Sequence, residues 1–381
     1  MSDKPFCVWP LFHQKVNTDG RMRPCCQWLA DDEDGDSSYT HEDYFHGQFM
    51  QDLRAKFSSG AVPANCAKCV HLESVNGSST RLMGFDIARN LGVDITAPPV
   101  LISQEVDLSN RCNLRCRYCS SHRSRKWNRD AHLKNMDKFI VDARWRLTDD
   151  QAQTLRRLTL LGGEPLLHQK QIAQALTKMQ SSGTLVNLRL LMNSNGTIPI
   201  RGQLMDLLLE TKHTSIDISI DAAGSLNDYI RSDSDWSKIE QNLDQLILVS
   251  RQHPNFTIGL TCTLSVFNAQ AFGELQQWWK QYSNTLHVAV VTQPPLQNAC
   301  NLPADIKQDL VSRYETLRDA QQHSQWYVRS FNRVIDHLRK PAVMEQDQWK
   351  ARFKHNTQLF DTSRSVRLAD YHPDLAALVG M

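Results

Sequence analysis

Apolar positions follow two rhythms along the chain. Short runs rich in Leu, Ile and Val occur at LISQEVDLS (101–109), LRRLTLLGG (155–163), NLRLLMNSN (187–195), SIDISIDA (215–222), FTIGLTCTL (256–264) and LHVAVVT (286–292). Between them, apolar residues recur every three to four positions, including over 169–182, 201–211, 236–252 and 269–282. Six strands alternating with helices predict parallel β/α units wound right-handedly. Periodicity alone leaves a partly closed (β/α)6 barrel and an open doubly wound sheet as alternatives. Residues 1–95 lack long periodic segments and are rich in turn formers, apart from a helix expected within 38–60 and closed by Gly60. The TAPPV stretch (96–100) marks a boundary, because its prolines favour extended chain. Beyond Pro303 helices are expected over 303–322 and 326–339. The expected division is 1–95, 96–300 and a helical extension at 301–381.

Composition narrows the class. Lys+Arg 43 against Asp+Glu 41 gives a net charge of +2 over 381 residues, a balance that offers no electrostatic footprint for nucleic acid or anionic membrane. The acidic DDEDGD run (31–36) reads as a solvated loop. No apolar run approaches the ~18 residues that span a bilayer, and the N-terminus shows no basic region followed by an apolar stretch. The expectation is a cytoplasmic chain.

Ten cysteines change the picture. In a reducing compartment clustered thiols hold metal or do redox work more often than they form disulfides, and a full-size core needs no disulfide framework. Cys112, Cys116 and Cys119 lie within Asn110-Arg-Cys-Asn-Leu-Arg-Cys-Arg-Tyr-Cys119, directly after a predicted strand. C-x3-C-x2-C supplies three thiolates, whereas a tetrahedral zinc or a complete cubane site takes four. Three ligands on a four-iron cluster leave one iron open, as reductive cleavage of S-adenosylmethionine (SAM) requires. A zinc site borrowing a distant fourth ligand is the alternative. The spacing, with Tyr118 before the last cysteine, resembles the radical SAM superfamily.

Further positions fit that resemblance. Gly162-Gly163-Glu164-Pro165 ends the second strand, where the family carries a GGE motif; glycines permit close backbone approach, and the carboxylate can accept from an ammonium. Ser219 and Asp221 match an S-x-D element that faces the ribose in similar enzymes. Arg231 matches an arginine that meets the SAM carboxylate in related maturases. Asn195 and Asn268 resemble polar positions near SAM or substrate, with turn residues after strands as the alternative. All fall at the C-terminal ends of predicted strands, the face where β/α barrels assemble sites. The resemblance implies a partial (β/α)6 barrel over about residues 100–300, binding a [4Fe–4S] cluster with SAM at Cys112, Cys116, Cys119, Tyr118, Gly162, Gly163, Glu164, Asn195, Ser219, Asp221, Arg231 and Asn268.

Cys7, Cys25, Cys26, Cys66 and Cys69 form a second set. VNTDGRMRPCC reads as a hairpin with an Asp-Gly turn that delivers two cysteines at its end. The set is similar to the auxiliary [4Fe–4S] module of the twitch or SPASM type, placed first in the chain. Cys7, one or both of Cys25 and Cys26, Cys66 and Cys69 would hold one cluster, with Cys25 favoured over Cys26; a zinc ribbon is the rival. His13 and His71 read as packing or surface residues, SHRSRKWNRD (121–130) as a solvated helix face, Trp278-Trp279 as packing, and Cys262 as core. Cys300, in a loop after the sixth strand, is a candidate hydrogen donor, against a plain packing role.

The resemblance implies a SAM-derived 5′-deoxyadenosyl radical that takes hydrogen from substrate, with electrons from a donor such as flavodoxin or ferredoxin. An auxiliary cluster suits oxidative modification of a ribosomally made peptide, by crosslinking or dehydrogenation. Small-molecule dehydrogenation, peptide epimerisation and a non-catalytic metal-binding protein are the alternatives. Substrate, bond formed, reductant and oligomeric state are not written in the residues.

Overall fold

The Asp-Gly hairpin forms as its residues dictate. In the computed structural model, which describes residues 6–29, 41–130, 145–283, 285–320 and 324–381, β1 (His13–Val16) and β2 (Met22–Arg23) pair antiparallel. Gly20 supplies the left-handed residue of the turn at φ +85°, and Asn17 N–H donates to the Arg21 carbonyl at 2.8 Å. The acidic 31–36 run lies outside the described residues. The chain divides into two compact units: 1–110 with 141–192 and 201–214, and 111–140 with 193–200 and 215–381.

In the first unit, β1 runs parallel to β3 (Ser103–Asp107), which pairs in parallel with β4 (Arg157–Leu161), which pairs in parallel with β5 (Arg189–Ser194). The cysteine-rich N-terminus thus adds strands to the same sheet as β3–β5, and the unit boundary falls elsewhere than at the prolines of 96–100. Register separates the two faces of this sheet. Val16, Val106, Leu160 and Met192 align across four strands and are 2% exposed or less. On the opposite face Lys15 aligns with Glu105 and Thr159. That alternation is the period-2 signature of a strand, with one face apolar. The helix expected over 38–60 forms as two pieces, His41–His46 and Gln48–Ser58, divided at Gly47.

The second unit holds β6 (His213–Ser219), β7 (Phe256–Leu264) and β8 (Leu286–Val290), neighbours in that order, with β7 and β8 parallel. Helix Trp236–Gln252 starts at Asp235, whose side chain accepts from Lys238 N–H, and buries Ile239, Leu243, Leu246 and Ile247 along one stripe. Helices Ala304–Asp319 and Gln325–Leu338 form as expected. Phe331 meets Phe272 and Tyr314 with ring centroids 5.5 and 5.8 Å apart, contacts worth roughly 0.5–1.5 kcal/mol each beyond the area they bury. A further helix, Gln346–Arg364, arises in the loosely patterned tail. The six strands read from sequence are β3 to β8, and the architecture is mixed α/β. Among the described residues no helix is long and apolar enough to cross a membrane.

Candidate active site

In the second unit, the loop that carries Cys112, Cys116 and Cys119 has little regular structure, so its carbonyls find partners from side chains. Trp127 Nε1 donates to the Cys116 carbonyl at 3.1 Å, Ser124 Oγ to Leu114 at 2.6 Å, and Lys126 Nζ to Asn113 at 2.6 Å. Arg115 and Arg117 N–H donate to the carbonyls of Ser232 and Ile230, each at 2.8 Å. The 121–130 stretch buttresses the loop on one side, where Ser124, Trp127 and Asp130 are 1%, 8% and 0% exposed. Lys126 is taken up by the Asn113 carbonyl and Asp233, while Arg123, Arg125 and Arg129 are exposed, as a solvated face requires.

Cys116 is buried, and burial pushes its thiol up, opposed chiefly by the Arg231 guanidinium. Arg231 Nη1 stands 3.9 Å from Cys116 Sγ, and its Nε and Nη2 approach Asp221 at 2.9 and 3.2 Å. Burial works against the charge on Arg231, but Asp221, Tyr118 and Cys116 outweigh it and hold the guanidinium protonated. Tyr118 Oη donates to Asp221 at 2.6 Å, and Thr263 N–H donates to it at 2.8 Å. Tyr118, Asp221 and Arg231 thus meet around the second cysteine, with Asp221 as the hub.

Asn195 and Asn268 serve mainly the turns they occupy. Asn195 Oδ1 accepts from Thr197 N–H at 3.0 Å, while its amide donates to Asn113 at 2.8 Å and lies 4.0 Å from Cys112 Sγ. Asn268 is fully buried and donates to the Asp221 and Thr263 carbonyls at 2.9 and 3.1 Å. Ser219 ends β6 and is half-buried. Cys262 is core, at 0% exposed. Cys300 is 1% exposed in a short turn, with Asn298 accepting from its N–H at 3.1 Å and Lys307 donating to its carbonyl at 2.9 Å. The Lys307 bond joins Cys300 to the C-terminal extension.

The first unit holds the GGE turn. Gly162 has φ +125°, and a Cβ there would meet Ser109 O at 2.7 Å and Leu108 N at 3.0 Å. Gly163 N–H donates to the Ser109 carbonyl at 2.7 Å. Glu164 is 1% exposed, and its Oε1 accepts from Leu166 N–H at 3.0 Å, capping the short helix Pro165–His168. Gly162→Ala is expected to destabilise the protein by about 2 kcal/mol or more, through strain at a glycine-only conformation and collision with backbone. Denaturant unfolding of the two proteins checks this; an unchanged midpoint contradicts it.

The N-terminal thiols also converge in this unit. Burial pushes Cys7 up to about 12, and the neighbouring Cys66 and Cys69 raise it further. Burial likewise raises Cys25, which lies within electrostatic reach of Cys7, Cys26 and Cys66, and takes Cys66 to about 11, with Cys69 adding to it. Cys26 has Glu105 and Lys15 among its charged neighbours and lies within electrostatic reach of Cys25. Cys66 caps helix Ala67–Asn76 and Cys69 lies in its first turn. His13 is 1% exposed and held neutral by burial and by the charges of Arg157 and Lys15. His71 is exposed. Among the described residues, no three His, Cys, Asp or Glu side chains stand close enough to hold a single metal ion.

Sequence reasoning missed Arg117, Tyr229, Asp361 and Arg364, which fix the cysteine loop from behind. Arg117 is 0% exposed, with Nη2 2.6 Å from Asp361 and its guanidinium 3.6 Å above the Tyr229 ring. Arg364 holds Asp130 at 2.7 Å and donates to the Arg115 carbonyl at 2.8 Å. These partners stand 112 to 249 positions apart, a separation at which no local pattern can signal them.

Comparison with known proteins bears on this geometry. Residues 106–261 match the family model described as Radical SAM superfamily. No curated protein matches the chain. Among solved structures, anSMEcpe with bound AdoMet is 18% identical over 50% of this chain and 52% of that one, with TM-score 0.38. SuiB of Streptococcus suis bound to S-adenosylmethionine is 14% identical over 74% of this chain and 61% of that one, with TM-score 0.37. TYW1 with a lysine-pyruvate adduct bound is 14% identical over 56% and 70%, with TM-score 0.30. The chain thus spans about half the length of the anSMEcpe chain it matches, and likenesses this low do not carry over a particular activity. The match over 106–261 contains all three cysteines of the loop, the GGE turn, Asp221 and Arg231: the chain carries a radical SAM domain, and the protein is an enzyme.

Proposed function

We propose that this enzyme oxidatively modifies a ribosomally made peptide, forming a crosslink or a dehydrogenated residue, with Cys112, Cys116 and Cys119 holding a SAM-binding [4Fe–4S] cluster and Cys7, Cys25, Cys66 and Cys69 an auxiliary one. The observation that carries it is the convergence of a second cysteine set, apart from the three-cysteine loop of the radical SAM domain. With SAM, a reduced open-iron cluster supplies the 5′-deoxyadenosyl radical that takes hydrogen from an unactivated C–H bond. The residues then have separable tasks. The cysteine loop presents three thiolates and leaves one ligand position for SAM. Arg231 lies beside Cys116 and offers a fixed positive charge to a carboxylate, while Asp221 and Tyr118 hold it in place. The Glu164 carboxylate is the candidate acceptor for an ammonium at the GGE turn. Four thiols fit the closed, four-ligand requirement of an auxiliary cluster, which offers the substrate radical a place to leave its electron. Cys25, whose charged neighbours include Cys7 and Cys66, is the better supported ligand of the adjacent pair.

A Cys66→Ala/Cys69→Ala variant tests this reading. It is expected to release 5′-deoxyadenosine slowly from SAM while forming no modified product. Anaerobic turnover with candidate precursor peptides, read by mass spectrometry, separates the outcomes. Product at the wild-type rate from a folded variant removes the auxiliary role. A product of unchanged mass in H2O that gains one deuterium when turnover is run in D2O replaces oxidation with epimerisation, for which Cys300→Ala is the control.

A further inference from the structure

The polar face of the first unit's sheet carries charge that the cluster sites do not use. Lys15, aligned with Glu105 and Thr159, is 5% exposed and sits between the carboxylates of Glu105 and Asp107 at 2.5 and 3.4 Å. One register step back on the same face stand Ser103 and Arg157. Arg157 is half-buried, yet among the described residues no carboxylate lies within ion-pair distance of it. Of its five donors, one makes a long bond to Ser103 Oγ, at 3.4 Å. Two positions along the strand, Thr159 is 8% exposed, and its hydroxyl has no hydrogen-bond partner among the described residues.

Buried polar groups in folded proteins are paired, so the unpartnered Thr159 hydroxyl, beside a half-buried Arg157 whose leading charged neighbour, Glu105, is already taken up by Lys15, points to an acceptor that is not part of the chain. A carboxylate, like a phosphate, satisfies a guanidinium fork and a hydroxyl together, and of the two it is the group a peptide supplies. The place also suits a substrate. The GGE turn follows the C-terminal end of β4, and Cys26, after the antiparallel β2, lies within electrostatic reach of Arg157 towards the other end. At about 3.3 Å per residue the face between them is on the order of 15 Å long.

We infer that Arg157 and Thr159 form a subsite for a carboxylate of the substrate, so that the modified peptide carries an acidic side chain or a free C-terminus bound there. The inference rests on the peptide reading above. The test uses the full-length, anaerobically reconstituted protein and two probe peptides, acetyl-Gly-Glu-Gly-amide and its Gln counterpart, with affinities read by saturation-transfer NMR. The Glu peptide should bind at least roughly tenfold more tightly than the Gln peptide, the scale of one charge-assisted contact. Arg157→Gln should erase that preference and Thr159→Val reduce it, while iron content and SAM cleavage stay unchanged. Should Arg157→Gln not fold, Arg157→Lys, which keeps the charge and loses the fork, should retain part of the preference. Equal binding of the two peptides, binding of neither, or a preference that survives Arg157→Gln overturns the subsite. Loss of N-terminal iron in Arg157→Gln also overturns it, because Arg157 would then be a counter-charge to thiolates. Failure of the wild-type protein to modify any peptide while the Glu preference holds would sink the peptide reading and leave the carboxylate subsite standing.

Discussion

Replacing Cys112, Cys116 and Cys119 together by Ala is expected to remove about half of the chain's iron, roughly four of eight atoms on the two-cluster proposal, and to abolish SAM cleavage. The loss should be this complete because the three thiols are the only protein ligands offered by that loop. The remaining iron should stay, since Cys7, Cys25, Cys66 and Cys69 converge within the other compact unit. Iron and sulfide analysis after anaerobic reconstitution, with SAM turnover measured on the same sample, checks both halves. A triple variant that keeps all its iron, or a wild-type protein that takes up zinc at the N-terminal set, contradicts the assignment.

The second large effect comes from a residue far from any motif. Asp361, on helix Gln346–Arg364, is 6% exposed and accepts from Arg117 at 2.6 Å, from Tyr229 Oη at 2.9 Å and from Leu368 N–H at 2.8 Å. Burial alone pulls the Arg117 pKa down, and Tyr229 and Asp361 oppose it. Asp361→Ala leaves that guanidinium buried without its carboxylate, a change that costs about 3–5 kcal/mol for a buried pair. Arg117 lies between Cys116 and Tyr118, so the loop itself should loosen, and core-cluster occupancy should fall along with the unfolding midpoint. Arg117→Met combined with Asp361→Leu should recover much of the stability, because no unpaired charge remains. A single variant as stable as the wild type would show that the pair is not what holds the loop.

Much of the fold was legible because its signals are local. The run FTIGLTCTL became β7 over the same residues, 256–264, and the helical rhythm at 236–252 became a helix with the same ends. The Asp19-Gly20 turn formed where its chemistry demanded it. The split of the 38–60 helix at Gly47 was not legible, since the apolar spacing continues across it. The helix over Gln346–Arg364 was missed because it buries only scattered residues, Trp349, Phe353, Thr357, Phe360 and Asp361 among them, and its polar majority hides the stripe.

For the site the division is similar. Cysteine spacing, the GGE turn and the S-x-D and Arg231 positions are short-range patterns, and each could be read because backbone geometry ties neighbouring residues to one chemistry. Tertiary structure alone brought Cys25 within electrostatic reach of Cys7 and Cys66. It alone joined Arg117 to Asp361 across 244 positions. It also turned the basic 121–130 stretch into a buttress, because Ser124, Lys126 and Trp127 donate to loop carbonyls that no linear pattern shows to be unpaired. Propensity and spacing act over a few residues, whereas burial and charge pairing depend on which distant groups folding brings within a few ångströms.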